Sequence, residues 1–102
     1  MRYFGIIIFF FISFYSYPQG TWFQKANLPG QARWSAVAFS INDKGYVGTG
    51  NGPTSLLNDF WEYNPVGNSW TQKANFGGGP ISMAVGFSIG NFGYIGGGAN
   101  NT

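Results

Sequence analysis

The sequence predicts an all-β chain made of repeated four-stranded antiparallel sheets, and three observations carry that expectation. The first is a repeat: WFQKAN at 22–27 returns as WTQKAN at 70–75, an offset of 70 − 22 = 48 residues. At this offset, without a gap, Ala36-Val37 falls on Ala84-Val85, Phe39-Ser40-Ile41 on Phe87-Ser88-Ile89, Gly45-Tyr46 on Gly93-Tyr94, and Gly48 and Gly50 on Gly96 and Gly98. Of the 33 comparable positions 16 are identical. Shared composition would give about two to four, so the period marks a structural unit. The second observation is that turn residues cut each unit into runs of strand length. The third is that no window holds apolar residues at i, i+3, i+4 and i+7 without a Gly or Pro breaking it, and 17 glycines are too many for paired-helix repeats.

In chain order, residues 1–20 read as a secretory signal. Arg2 precedes the apolar run YFGIIIFFFI at 3–12, and Ser13, Ser16, Pro18 and Gly20 form a polar boundary, which places a cut between Ser16 and Gly20. The alternative is an uncleaved anchor, but the apolar stretch from Tyr3 to Tyr17 is short of the ~20 residues a bilayer requires. The expected location is therefore secreted or extracytoplasmic: periplasm, cell surface or extracellular medium. No membrane attachment is expected once the signal is removed.

Residues 21–102 form the repeat region, with 22–69 a complete unit and 70–102 an incomplete one. Trp22 to Lys25 reads as the last strand of a sheet. Ala32 to Ile41 is the first strand of the complete unit, Asn42 to Gly45 a turn, and Tyr46 to Gly50 the second strand. A polar stretch, Asn51 to Asn58, leads to DFWEYN at 59–64, which alternates polar and aromatic side chains with the period of a strand. Pro65 to Asn68 is a turn, and Trp70 to Lys73 the fourth strand. Ser82 to Ile89 and Gly93 to Gly98 begin the next sheet. Four strands in about 50 residues is the signature of a β-propeller blade.

The residues that follow one another here are Arg33, the second strand Gly-Tyr-Val-Gly-x-Gly (45–50), Asp-Phe-Trp-Glu-Tyr-Asn-Pro (59–65) and Asn-Ser-Trp (68–70). That order resembles the kelch repeat of the galactose-oxidase-like propeller superfamily, in which a glycine doublet is followed by a Tyr and a Trp across a short turn. Tyr63 and Trp70 take the aromatic places, and the resemblance covers essentially all of 22–102. One departure is Gly48-Thr49-Gly50, where the second copy reads Gly96-Gly97-Gly98. The resemblance implies kelch-type blades of four antiparallel strands, about one complete blade plus partial ones. The positions that build the repeat are Trp22, Gly48, Gly50, Asp59, Trp61, Tyr63, Trp70, Gly96, Gly97 and Gly98. Glycines at the end of an inner strand let neighbouring sheets approach. Trp61, Tyr63 and Trp70 are expected between successive sheets, where each buries on the order of 150–250 Å².

A propeller closes with about 4–8 blades, and the counterpart of Asp59 would fall at 59 + 48 = 107. The expectation is the leading part of a longer product or a truncated frame, with missing blades or self-association needed to close a ring. An isolated chain would expose an unpaired edge at Gly93 to Gly98.

The chemistry-bearing inventory is thin. After signal removal Lys25, Arg33, Lys44 and Lys73 face Asp43, Asp59 and Glu62, which offers no basic face for nucleic acid. With no His and no Cys, a triad, a thiol nucleophile, a zinc site and the copper site of galactose oxidase all lack their ligands. Asp59 and Glu62, three apart on a strand, point to opposite faces and make no acid/base pair. Gly77-Gly78-Gly79 is followed by Pro80 and is no phosphate loop. No cofactor, metal or catalytic residue is indicated.

Recognition is easier to place. The loops around 27–33, 51–58 and 75–81 emerge at one end of an antiparallel blade, so Arg33, Trp34, Asn51 and Asn58 are the candidate binding residues, for an unknown protein or glycan ligand. The competing reading pairs Arg33 with a carboxylate or carbonyl and leaves the asparagines to shape loops. The functional expectation is a binding or interaction module. The alternatives are part of an extracellular carbohydrate-active enzyme with its catalytic residues elsewhere, or a non-functional truncated product.

Overall fold

The computed structural model describes residues 20–101; the signal-peptide reading of 1–20 lies outside them except for Gly20. The described chain is all-β, with no helix. Strands β1 (Val37–Ile41), β2 (Lys44–Gly48), β3 (Phe60–Asn64) and β4 (Ser69–Lys73) form a four-stranded antiparallel sheet in sequence order. Strands β5 (Ser82–Ile89) and β6 (Phe92–Ala99) form a second, two-stranded sheet. This is one complete propeller-like blade and the first half of another.

Local chemistry explains the hairpins. Asn42 and Asp43 join β1 to β2 with φ of 50° and 62°. Both central residues are therefore left-handed, as in the type I′ turn that matches strand twist, and Asn and Asp tolerate that region best after Gly. Gly90, at φ 58°, begins the matching β5–β6 connection. Between β3 and β4, the Asn64 side-chain oxygen accepts the Val66 amide at 3.0 Å.

The repeat extends to the backbone. Continuing the β1–β2 register from Val37↔Gly48 sets Ser35 opposite Gly50, and both have positive φ, 54° and 98°. In the second sheet Met83 and Gly98 occupy the same places with φ of 56° and 88°. A Cβ at Gly50 would meet the Trp34 carbonyl at 2.7 Å, and one at Gly98 would meet the Ser82 carbonyl at 2.7 Å. These glycines are thus required twice over, by conformation and by the closeness of the opposite chain. The kink also shortens the first strand. Expected from Ala32, β1 begins at Val37, and the ladder reappears beyond Ser35 as a single bridge, Trp34↔Asn51.

Trp22 to Lys25 is not a strand, contrary to its sequence identity with β4. A strand exists where a neighbour offers it a ladder, and none of the described residues does so here. The segment is tied instead by the Ala26 amide donating to Asn68 Oδ1 and by Trp70 Nε1 donating to the Ala26 carbonyl, both at 2.8 Å. Trp22 and Phe23 stand in solvent, so Trp22 does not share the role of Trp70.

Side-chain alternation assigns the two faces of the complete sheet. Val37, Phe39, Tyr46, Phe60 and Glu62 share one face, and Ala38, Val47, Trp61, Tyr63 and Trp70 the other. The first face receives the second sheet. Val37, 2% exposed, lies over Gly86, and the Phe39 ring covers Gly86 and Gly93. Phe39 is in turn stacked on Tyr46 at 5.6 Å and tilted against Phe60 at 5.7 Å. Trp61, Tyr63 and Trp70, expected between successive sheets, are not between these two. They lie on the opposite face, with Tyr63 tilted against Trp70 at 5.0 Å and the chain around Ala26 to Gly30 lying against them.

At the loop end the sheets are joined by backbone bonds: Gly50 N to Ile81 O at 2.8 Å, Ile81 N to Leu57 O at 3.3 Å, Phe76 N to Asn58 O at 2.7 Å, and Met83 N to Ser35 O at 3.2 Å. At the hairpin end Asn42 Nδ2 donates to Asn91 Oδ1 at 3.0 Å.

A Cβ at Gly86 would be driven into Val37, whereas one at Gly96 meets nothing within 4 Å. Gly86→Ala is expected to destabilise the chain by about 1–3 kcal/mol through overpacking. Gly96→Ala is expected to be neutral or stabilising by about 0.5 kcal/mol. Urea midpoints of the two variants read the difference, and an equal effect would mean that the Val37–Gly86 contact does not govern docking.

Candidate functional site

The loop end is organised around one ion pair. Arg33 Nη1 and Nη2 reach Asp59 Oδ1 and Oδ2, each at 2.7 Å, a bidentate pair that matches the planar guanidinium fork to a carboxylate. Nη1 also donates to the Thr49 carbonyl at 3.2 Å, Nε to the Gln31 carbonyl at 3.3 Å, and Trp61 Nε1 to Asp59 Oδ2 at 2.6 Å. Gly30 passes over the cluster, and a Cβ there would meet Arg33 Nη2, Asp59 Oδ2 and Trp61 Nε1 at 2.7–2.9 Å. The Arg33 bond, helped by Trp61 and opposed by burial, holds the Asp59 carboxyl below its usual range.

Arg33 is thus turned inward, its side chain 5% exposed, and pins the β2–β3 loop to the strand entry. Its donors are occupied by the protein itself. Trp34, the next residue, is 65% exposed and projects from the bridge to Asn51. Asn51 is half-buried and bridges Trp34 on one side and Leu56 on the other. Asn58, at the far end of the same loop, receives the Phe76 amide on its carbonyl. Of the four expected binding residues, Trp34 and Asn51 are brought together directly, Asn58 closes the loop, and Arg33 lies beneath them.

Two features of this end were not read from the sequence. One is a cleft of about 380 Å³ lined by Ser55, Leu56, Gly78, Gly79, Pro80, Asn100 and Asn101. Its signal was present, because the Gly- and Asn-rich loops recur at the repeat spacing. The other is Thr49, fully buried, at φ 56°, with no hydrogen-bond partner for its hydroxyl. A β-branched residue in the left-handed region is strained. The second copy has Gly97 there at φ 68°, so the interrupted glycine run carries the strain that glycine would relieve.

Glu62 belongs to a separate cluster on the sheet face. It accepts from Tyr46 Oη at 2.7 Å and pairs with Lys44 Nζ at 3.0 Å and Lys73 Nζ at 3.3 Å. The Tyr46 hydroxyl bond first, then the Lys44 bond, bring its carboxyl down to about 2. The same bond, with burial, pushes the Tyr46 hydroxyl up. Asp59 and Glu62 lie on opposite faces, the first paired with Arg33 and the second with Lys44 and Lys73. Among the described residues no group of three or more His, Cys, Asp or Glu side chains gathers to hold a metal. What the loop end offers is an exposed indole, backbone amides and carbonyls, and small polar side chains, a chemistry of stacking and hydrogen bonding.

The chain is similar to the solved structure described as "Structure of YjhT", with a TM-score of 0.71 and 32% sequence identity over 78% of this chain and 25% of that one. The chain thus spans about a quarter of that structure's length. No family model matches the chain, and no curated protein matches it.

Replacing Arg33 by Met leaves Asp59 without its cation in a largely covered site, at a cost of about 3 kcal/mol. Chemical denaturation measures it, and a loss under about 0.5 kcal/mol, the range of an ordinary surface substitution, would remove the pair's pinning role. Because the folded Glu62 carboxyl is held at about 2, below the ordinary ~4.3, its contribution is complete above the ordinary value and is lost as pH falls toward 2. The urea midpoint is expected to drop between pH 5 and 2, and to drop less in Glu62→Gln.

Proposed function

We propose that this chain is part of an exported kelch-type β-propeller whose loop end binds a protein or glycan ligand, with no cofactor and no catalytic step of its own. The support for the kelch assignment is the 48-residue repeat from 22 to 70, the Tyr63–Trp70 aromatic pair and the glycines that kink each inner strand. Its likeness to a solved structure at TM-score 0.71 concerns a quarter of that protein's length and supports the blade arrangement. The apolar leader at 3–12 behind Arg2 is the basis for export.

One observation carries the binding reading. Trp34 departs from the repeat, its counterpart being Ser82, and its indole is 65% exposed. The packing that recurs in both sheets therefore does not require it. An exposed tryptophan on a rigid bridge supplies a large, pre-oriented surface with a hydrogen-bond donor, which suits the face of a sugar ring or a partner's apolar side chain. The 51–58 and 75–81 loops and the cleft beside them add the hydrogen-bonding groups.

The test is an array of neutral and acidic oligosaccharides screened with the full chain, and calorimetric titration of the best binder into the parent and Trp34→Ala. The variant is expected to bind at least tenfold more weakly, about 1.4 kcal/mol, with its urea midpoint changed by less than the equivalent of about 0.5 kcal/mol. Unchanged affinity in Trp34→Ala would move the site away from the loop end. Absence of any binder on the array would reject the glycan arm.

A further inference from the structure

Asn51-Gly52 is the one Asn-Gly pair in the sequence. Asparagine is chemically labile because its side-chain amide can be attacked by the main-chain nitrogen of the next residue. A glycine there puts no Cβ in the way and leaves the backbone free to turn. The Gly52 nitrogen gives up its proton and bonds to Asn51 Cγ, the Cγ–Nδ2 bond breaks, and the side-chain nitrogen takes up a proton and leaves as ammonia. Water then opens the five-membered imide at either carbonyl. One opening gives aspartate. The other gives isoaspartate, in which the main chain runs through the former side chain. Water is the only co-reactant, and loss of ammonia to solvent makes the change one-way.

The fold opposes this reaction at both of the groups it needs. The Gly52 amide donates to the Ser55 carbonyl at 2.8 Å, so the attacking nitrogen is committed. Asn51 is held from two sides. Its amide donates to the Trp34 carbonyl at 2.8 Å and its carbonyl accepts from the Trp34 amide at 3.0 Å, while across the loop it bridges Leu56. The Leu57 amide, donating to the Gly50 carbonyl at 2.8 Å, continues the same ladder. Antiparallel pairing keeps this backbone extended, whereas imide closure needs the Gly52 nitrogen to turn onto the Asn51 side chain. Pro53 stands second in the four-residue turn 52–55, where its fixed φ favours the turn. A Cβ at Gly52 would meet Gln31 Oε1 at 3.0 Å and Leu57 Cδ2 and the Ser55 carbonyl at 3.1 Å, so this peptide has little room to rotate while the loop is closed.

We propose that Asn51 is a modification site, converted to isoaspartate when the 52–55 turn opens and protected while it is closed. The product undoes the pairing at its own position. In isoaspartate the carbonyl that accepts from Trp34 becomes a free carboxylate, and one extra main-chain atom separates the residue-51 Cα from the Gly52 nitrogen. The bonds to Trp34 and the bond from Gly52 to Ser55 can then no longer be made in one register. A negative charge is added at a half-buried residue, and Trp34, whose indole is 65% exposed, loses the bridge that holds its main chain. The site thus couples a rare local opening to a lasting change at the loop end. The inference is independent of ligand binding there.

The test sets the full chain beside a synthetic peptide of residues 48–57, GTGNGPTSLL, in mildly alkaline heavy-oxygen water, with mass spectrometry of digests reading the label at each asparagine. Conversion at Asn51 is expected to be at least tenfold slower in the folded chain than in the peptide, and to rise to the peptide's rate as urea unfolds the chain. Pro53→Gly, which loosens the turn, should raise the rate severalfold in the chain and leave it within twofold in the peptide. The isoaspartate form, isolated by its added charge, should exchange its Trp34 amide at least tenfold faster than the parent. Asn51→Asp carries the same charge on an ordinary main chain and should keep the parent's protection. Equal rates in chain and peptide would overturn the protection, and an unchanged rate in Pro53→Gly would overturn the role of the turn. Other asparagines reacting ahead of Asn51 in the urea-unfolded chain would overturn the site itself. Parent-like Trp34 exchange in the isoaspartate form would overturn its coupling to the bridge. Should Pro53→Gly fail to fold, the urea series on the parent decides whether opening controls the reaction.

Discussion

Everything else in this molecule depends on how closely two sheets can approach. Val37 and Phe39 project from an inner strand into a surface that has no side chains at Gly86 and Gly93, and the backbone of one sheet becomes the floor for the aromatic cluster of the other. The arrangement buries the Phe39–Tyr46–Phe60 cluster with no disulfide and few aliphatic residues. Glycine acts here by absence, since each missing Cβ is space that a neighbour's ring has taken.

Charge is used sparingly and locally. Each of the two paired carboxylates is tied to cations and to an aromatic donor, Asp59 to Arg33 and Trp61, and Glu62 to Lys44, Lys73 and Tyr46. One cluster closes the loop end against the strand entry, and the other fastens β2, β3 and β4 to one another. Little charge is left uncommitted at the loop end, so recognition there falls to the indole of Trp34 and to neutral polar groups.

Much of the fold was legible because the repeat reports itself. β5 lies where the repeat placed it, Ser82–Ile89, and the Asn42-Asp43 pair marked the β1–β2 hairpin through a known backbone preference. What failed to show had physical reasons. Trp22 to Lys25 shares its residues with β4, but local preference does not supply a ladder, and the segment stays unpaired among the described residues. β1 starts five residues late because Ser35 is left-handed, a conformation that serine does not advertise. Period-2 alternation was visible in DFWEYN, yet it does not say which face meets the neighbouring sheet, so the side taken by the tryptophans is known from the strand pairing. At the site, Arg33 and Asp59 are 26 residues apart, and the loop that unites them is not encoded by any local motif.

The joints between the sheets are unevenly distributed. Four main-chain bonds cross near Gly50, Asn58, Ile81 and Ser35, while at the opposite end the side chains of Asn42 and Asn91 make a single exposed bond. The pair of sheets therefore behaves like a book bound along one margin. Thermal opening is expected to begin at the hairpin tips, where fewer bonds cross, and to diminish toward the loops.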